Sequence, residues 1–443
     1  MGKKLDIFLE KNTISLAENL LLENNKSYHD NQFTIPSKNL YPHQWSWDSG
    51  WISYGYCALN ETNSAKKELI SLLDYQWSNG LVPSIIFHNL ENDTYWPSPD
   101  VWDLKNKANL LTTKFNSTGI VQPPIHSSAC LNIYNSEVKK EEGKLFLNSV
   151  YNKLFLWHSY LYNERDIKDD GLVFIRHPWE SGMDNSPIWD IPLNRIKIDE
   201  FRYSKYRTDN KKVNSNERPT DLTYERYINL INIFKKYKYN EKDIFENSEF
   251  IVQDVLFNVL LLKSNYALKN IAEIIGKKND ISNINIWIEK TKKGLEKLYY
   301  DGFYYDYDLK ENKLIKIKTI TGLTAIYFSQ KSEEIKNALE KEFLDLENKN
   351  YTISSLSRLD KNYDPINYWR GPMWVNLTWL ISSGLNKKGY SQLANVINQS
   401  CIDKIDNFGF YEYFDSKNSS GCGDNHFSWT AAVYICLVLN LQF

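Results

Sequence analysis

The sequence lacks the cysteine pairs that would mark a redox or metal motif. Its five cysteines stand singly at 57, 130, 401, 422 and 436, with no CxxC. An odd, scattered set points to free thiols in a reducing compartment, and the cytoplasm is the expected location. A charge excess is missing too: 53 basic and 55 acidic residues leave a net charge of −2. A nucleic-acid binder shows a basic excess, because neutralising phosphates drives that association, so no nucleic-acid partner is expected. Basic runs such as Lys290-Thr-Lys-Lys293 have acids beside them and read as solvated helix faces. No window approaches the roughly 18–20 apolar residues of a membrane span, and the opening MGKKLDIFLEKN carries no apolar stretch of signal-peptide length. Neither membrane insertion nor export is expected.

Several catalytic signatures are absent as well. There is no GxxxxGK[ST] loop, no GxGxxG after a strand, no HExxH and no GxSxG, which removes the usual cradles of nucleotide, zinc and serine-ester chemistry. The seven histidines are dispersed without ligand spacing. No cofactor or metal is called for, and no repeat of short period suggests a solenoid.

What is abundant is aromatic side chains, 14% of the chain, with 14 Trp and 30 Tyr. An AT-rich genome accounts for tyrosine but not for tryptophan. Indole faces suit either core packing or the stacking of sugar rings.

Helical periodicity runs through 62–78, 145–161, 251–264, 282–299, 372–384 and 427–440. Asn79-Gly80 is the expected stop of the first, and Pro372 the expected first-turn residue of the fifth. Short strands are expected at 82–87, 302–308 and 409–414, without βαβ alternation. Irregular aromatic stretches separate the helices at 41–56, 91–103, 119–126, 177–190, 362–371 and 409–427. Long loops inside compact domains are commonly functional. The pattern predicts a mainly α chain, one domain over 1–443, built as a toroid of helical hairpins with its loops gathered at one mouth. The polar region 190–226 reads as an insertion or lid.

Carboxylates set among aromatics remain as the candidates for chemistry. His177-Pro-Trp-Glu-Ser-Gly-Met-Asp-Asn-Ser-Pro-Ile-Trp-Asp190 holds Glu180, Asp184 and Asp190 beside Trp179 and Trp189. Burial there would keep an acid protonated near neutrality; an acidic turn over core tryptophans is the plain alternative. In Gly409-Phe-Tyr-Glu-Tyr-Phe-Asp415, strand alternation sets Phe410, Glu412 and Phe414 on one face. A carboxylate buried there is costly unless hydrogen-bonded or functional, the alternative being an edge-strand Glu facing solvent. Glycoside hydrolysis needs two such groups flanking the scissile bond.

At these segments the chain resembles the (α/α)6-barrel enzymes of glycoside hydrolase family 63, in particular the mannosylglycerate and glucosylglycerate hydrolases, and more distantly the family 37 trehalases. The resemblance runs from about residue 35 to the end. Six motifs in order carry it: Gln44-Trp-Ser-Trp-Asp-Ser-Gly50, Gln122-Pro-Pro124, Glu180-Ser-Gly-Met-Asp-Asn-Ser186, Tyr368-Trp-Arg-Gly-Pro372, Tyr411-Glu-Tyr-Phe-Asp415 and Phe427-Ser-Trp-Thr-Ala-Ala432.

The resemblance implies an inverting α-glycosidase with Asp184 as general acid and Glu412 as general base. It implies a sugar site from Tyr41, Gln44, Trp45, Trp47, Asp48, Gln122, Trp369 and Arg370. It also implies an aglycone clamp from Arg218 and Tyr224, with Tyr95 and Tyr368 near the mouth; Arg202, Arg207 and Arg226 compete for the arginine role. Trp374, Trp379 and Trp429, on predicted helices, read as core. The expected partner is a small glycoside. Alternatives are a neutral disaccharide as substrate, or a sugar-binding protein without activity. The sugar epimer and the oligomeric state are left open.

Overall fold

The computed structural model describes residues 2–443 apart from 92, 199 and 419, with side chains from residue 12 onward. Twelve helices among the described residues build the barrel. They are α1 (Gly2–Asn24), α2 (Ser46–Ala58), α3 (Thr62–Leu73), α4 (His126–Ser136), α5 (Lys140–Glu164), α6 (Val255–Ile274), α7 (Ile281–Glu296), α8 (Ile320–Thr324), α9 (Ser332–Ala338), α10 (Val375–Lys387), α11 (Ser391–Phe408) and α12 (Ser428–Val438).

The even-numbered helices form a closed inner ring, each touching the next and α12 returning to α2; each odd-numbered helix packs outside the ring. This is the (α/α)6 barrel. The division follows from composition. In α12 every residue from Ser428 to Leu437 is buried, and in α2 every residue from Ser46 to Cys57. A helix buried all round has no polar face to offer solvent. Outer helices such as α7 bury one stripe only: Ile284, Ile288, Thr291, Gly294 and Leu295. The ring is tight enough to need small residues. A Cβ added at Gly55 of α2 would stand 2.5 Å from the Cβ of Ala432 on α12.

Chain direction places the mouth. The links from inner to outer helices are short: 59–61, 137–139, 275–280, 325–331 and 388–390. The long links, 25–45, 74–125, 165–254, 339–374 and 409–427, all lead into the N-terminal ends of inner helices. These loops carry most of the candidate residues. A four-stranded antiparallel sheet, in the order Lys313–Ile315, Asp306–Asp308, Val252–Gln253, Phe174–Ile175, ties several of them together.

Some expectations are corrected. The stretch 41–56 is not irregular throughout: α2 begins at Ser46, and its burial on all sides erases the amphipathic pattern that periodicity detects. Helix α3 ends at Leu73 rather than at Asn79-Gly80, because the Trp77 N–H is taken by the Leu81 carbonyl. Pro372 lies outside α10, which starts at Val375; Met373 exchanges backbone hydrogen bonds with Phe414 instead. The strand expected over 409–414 is only Tyr413–Phe414, paired with Gly421–Cys422. The segment 190–226 folds as short helical turns and ends in a long helix, Asp221–Lys236, whose start is capped by the Thr220 hydroxyl.

All five cysteines are free and buried. Among the described residues, no helix is long and apolar enough to cross a membrane. No group of three or more His, Cys, Asp or Glu side chains among them is arranged to hold a metal ion.

Candidate active site

The Asp184 loop is built by a tight turn and a buried ionic cluster. Pro178–Ser181 forms a single 3-10 turn that ends at Gly182, with φ +72°. A side chain there is excluded twice over: by that conformation, and because a Cβ would stand 2.5 Å from the Trp47 ring. Below the turn, Glu180 accepts from Arg165 at 2.9 and 3.0 Å and from the Arg176 N–H at 2.8 Å; Glu241 completes the cluster by pairing with Arg165 at 2.8 Å. Glu180 is therefore spent on structure, its carboxylate held below its ordinary range by the two arginines although burial pushes the other way. Asp190, at the far end of the segment, forms two hydrogen bonds with Arg370. Of the three acids in this segment, Asp184 alone lines the cavity. Its backbone carbonyl is fixed by the Tyr227 hydroxyl.

The Glu412 loop leads into α12. Glu412 is 1% exposed, so it does not face solvent from an edge strand. Its Oε1 accepts from the hydroxyls of Tyr41 at 2.8 Å and Tyr368 at 3.0 Å, and its Oε2 lies 3.8 Å from Arg218 Nη1. Gly423, at φ +69°, closes against it; a Cβ there would come within 2.4 Å of Oε2. Segment 190–226 clasps the same loop. Glu217 accepts from the Gly423 N–H at 2.9 Å, while Arg218 donates to the Tyr41 hydroxyl at 3.1 Å and lies over the Tyr368 ring at 4.3 Å.

Beside the Asp184 loop lies a cavity of about 80 Å³ lined by Tyr41, Trp45, Tyr95, Gln122, Asp184, Arg218 and Tyr224, with Trp96, Trp179, Asp209 and Tyr227 also on its wall. Glu412 stands directly behind Tyr41 and Arg218. Burial pushes Asp184 up to about 7, against the pull of Arg218, with Glu412 and Asp209 adding to the rise. Burial raises Glu412 too, but Arg218 and the hydroxyls of Tyr41 and Tyr368 oppose it. The two carboxylates feel each other's charge while differing in hydrogen bonding. Such divergence of environments separates an acid from a base.

The remaining candidates sit behind this wall. The Gln44 amide is occupied by Ser49, Glu68, Ser71 and His88. Trp47 packs edge-on against Trp429, and its backbone N–H donates to Gln122 Oε1 at 3.2 Å. Asp48 is buried and raised well above the usual carboxylate range, first by desolvation and then by Glu412, Glu68 and Asp184. Trp369, at φ +60°, stacks on Trp374 with ring centroids 3.7 Å apart. Trp374, Trp379 and Trp429 are buried, as a core role requires. Among the arginines of 190–226, Arg202 pairs with exposed Glu200, Arg226 with Asn194, and Arg207 with Asp209 and Asp221. Only Arg218 of these lines the cavity. Sequence reasoning passes over Tyr227 and Asp209. Tyr227 stands three residues after Tyr224 on one helix and is findable by that spacing; Asp209 carries no local signal.

The family described as mannosylglycerate hydrolase MGH1-like glycoside hydrolase domain matches residues 41–430. A mannosylglycerate hydrolase of Rubrobacter radiotolerans is 36% identical over 417 residues, 92% of this chain and 93% of that protein. A glucosylglycerate hydrolase of Mycolicibacterium hassiacum is 29% identical over 420 residues, 91% of this chain and 93% of that one. The crystal structure of the GH63 mannosylglycerate hydrolase from Thermus thermophilus with Tris and D-glycerate superposes with a TM-score of 0.86 at 32% identity, covering 96% of this chain and 99% of that one. Barrel, cavity and relatives agree on an enzyme that hydrolyses glycosides. More narrowly, the chain belongs to the mannosylglycerate hydrolase MGH1-like family of glycoside hydrolases.

Proposed function

We propose that this enzyme hydrolyses an α-glycoside of glycerate, mannosylglycerate or glucosylglycerate, with inversion at the anomeric carbon. Arg218 carries the reading. It is a buried cation on the cavity wall, wedged between Tyr41 and Tyr368, and its Nη1 has no hydrogen-bond partner. A guanidinium held this way suits a carboxylate, and glycerate supplies one next to the glycosidic oxygen. The relative crystallised with D-glycerate supports the same substrate class.

In this reading Asp184, kept protonated near neutrality by burial, gives its proton to the glycosidic oxygen as the bond to the anomeric carbon breaks. Glu412 takes a proton from a water whose oxygen forms the new bond on the opposite face. Carboxyl groups about 6.5–9.5 Å apart leave space for that water. Glycerate leaves with the proton from Asp184, Glu412 returns its proton to solvent, and Asp184 regains one from solvent before the next turnover. Trp45 offers indole surface to the pyranose, and Gln122 offers a hydroxyl partner, while Trp47 and Asp48 back this wall from behind. Segment 190–226 acts as a lid that carries Arg218. A panel of small α-glycosides followed by proton NMR tests this: the β-anomer of the released sugar should appear first, and only from substrates with an anionic aglycone. Initial release of the α-anomer, or equal turnover of trehalose, would overturn it. Arg218→Ala should erase the preference for anionic aglycones.

A further inference from the structure

Segment 190–226 holds a chain of ion pairs that ends at Glu412. Arg207, buried, donates to Asp209 from Nε at 3.1 Å and from Nη2 at 2.8 Å. Its Nη1 donates to the Pro219 carbonyl and to Asp221, both at 2.8 Å. Arg218 donates from Nε to Asp209 Oδ2, the oxygen already met by Arg207, at 3.2 Å. On its far side, Arg218 Nη1 stands 3.8 Å from Glu412 Oε2. Acid and base alternate along the whole chain, Asp221, Arg207, Asp209, Arg218 and Glu412.

Asp209 is more than Arg207 needs. Without it Arg207 keeps Pro219 and Asp221, which already tie the segment to itself. Arg218 depends on it more. Among the described residues Asp209 is the one carboxylate within hydrogen-bond distance of Arg218, and Glu412 is the next. In a planar guanidinium the Nε–H and Nη1 point to opposite sides, so the two carboxylates pull Arg218 in opposite directions. Its other contacts, the Tyr41 hydroxyl and the Tyr368 ring, belong to residues that themselves bind Glu412 and do not hold it back. Burial works against the charge of Asp209, but Arg207 and Arg218 hold its carboxylate below the ordinary range, so it is an anion at neutral pH. Glu412 Oε2 otherwise meets only the Asp424 N–H, at 3.4 Å. A charge-assisted bond from Arg218 to that oxygen would favour the ionised carboxylate and make it a weaker base.

We infer that Asp209 is a positioning residue: it holds the Arg218 guanidinium away from Glu412, which leaves the base able to take a proton from water and the arginine able to meet the substrate's carboxylate. The inference rests on Glu412 as the base and Arg218 as the aglycone clamp. Other groups around Glu412 do not imitate the effect. Tyr41, Tyr368 and Tyr413 face it and are kept protonated by burial. The carboxyl groups of Asp48 and Asp184 feel its charge, Asp424 accepts from the Leu40 N–H, and Glu217 is engaged by the Gly423 N–H.

The pH profile of kcat/KM for wild type, Asp209→Asn, Asp209→Glu and Asp221→Asn tests this. Asp209→Asn keeps the shape and removes the charge. Arg218 then closes on Glu412, and the limb that climbs with pH should move to lower pH by about one unit. Asp209 also adds to the rise of Asp184, so the falling limb should move down as well. KM for mannosylglycerate should rise about tenfold. Asp209→Glu restores the charge and should bring the climbing limb back toward its wild-type place. Asp221→Asn cuts the chain at its exposed end and should leave that limb where it is. Damage to the fold alone would lower activity in Asp209→Asn without moving the limb; that result, or an upward shift, would overturn the inference. The limb can be read on any small α-glycoside the enzyme cleaves, so the test stands even where the glycerate reading fails. A limb that moves upward in Tyr368→Phe but stays in place in Asp209→Asn would sink this inference and spare Glu412 as base; a limb unmoved in both would sink the base itself.

Discussion

Replacing Tyr368 or Tyr41 by Phe should move the acidic limb of the pH–rate profile upward. Both hydroxyls donate to Glu412 Oε1, at 3.0 and 2.8 Å, and both oppose the rise that burial imposes on that carboxyl group. A hydrogen bond to a charged group is worth about 1.5–3 kcal/mol, and about 1.4 kcal/mol corresponds to one pKa unit. Deleting one hydroxyl should therefore raise the Glu412 pKa by about 1–2 units. The sign follows from which form is stabilised: the hydroxyls favour the ionised base, so their loss leaves it protonated to higher pH. The limb of kcat/KM that climbs with pH as the base ionises shifts upward by that amount. The descending limb, set by Asp184 at about 7, should stay close to its place. The assay is kcat/KM for mannosylglycerate between about pH 4 and 9, read from released sugar. Its diagnostic is the position of the limb rather than its height, since Tyr41 also lines the cavity. Both single variants keeping the wild-type limb would refute Glu412 as the base. The double variant should shift by less than the sum, because the hydroxyls share one oxygen.

Asp184→Asn should lower kcat by about 10²–10⁴-fold, the range of a lost acid–base catalyst, with an unchanged circular dichroism spectrum; an active variant would remove the acid assignment. Gly423→Ala should cut kcat and cost about 1–2 kcal/mol of stability, from the positive φ and the contact with Glu412; urea unfolding and steady-state kinetics check the two parts. Arg165→Met should destabilise the fold by about 3–5 kcal/mol, because it strips a fully buried partner from Glu180 and Glu241. A chemical-denaturation midpoint equal to wild type would show that Arg176 alone sustains the cluster.

The outer helices are legible because one face meets water and the other the core, and that contrast writes a period into the sequence. The inner helix α2 is not, since Ser46 to Cys57 are all buried and aromatic, small and polar residues mix without a face. At the site, local composition singles out the two loops but cannot apportion their acids. Glu180, Asp184 and Asp190 share one segment, and what separates them is arginine supplied from elsewhere: Arg165 and Arg176 for the first, Arg370 for the last. Gln44 reads as a polar group in an aromatic loop, yet its amide is turned toward Glu68 of α3, a partner only the folded chain provides. Arg218 differs from Arg207 in its neighbours rather than in any sequence signal.

The close approach of Gly182 to the Trp47 ring joins the start of α2 to the Asp184 loop through a single van der Waals surface. A bulkier residue at 182 would push the indole out of register, and a smaller ring at 47 would leave the turn before Asp184 unsupported. Neither position is free to drift on its own, so a change in this packing would have to pass through paired substitutions at both. Reshaping the packing behind the cavity would for that reason move the Asp184 loop as well.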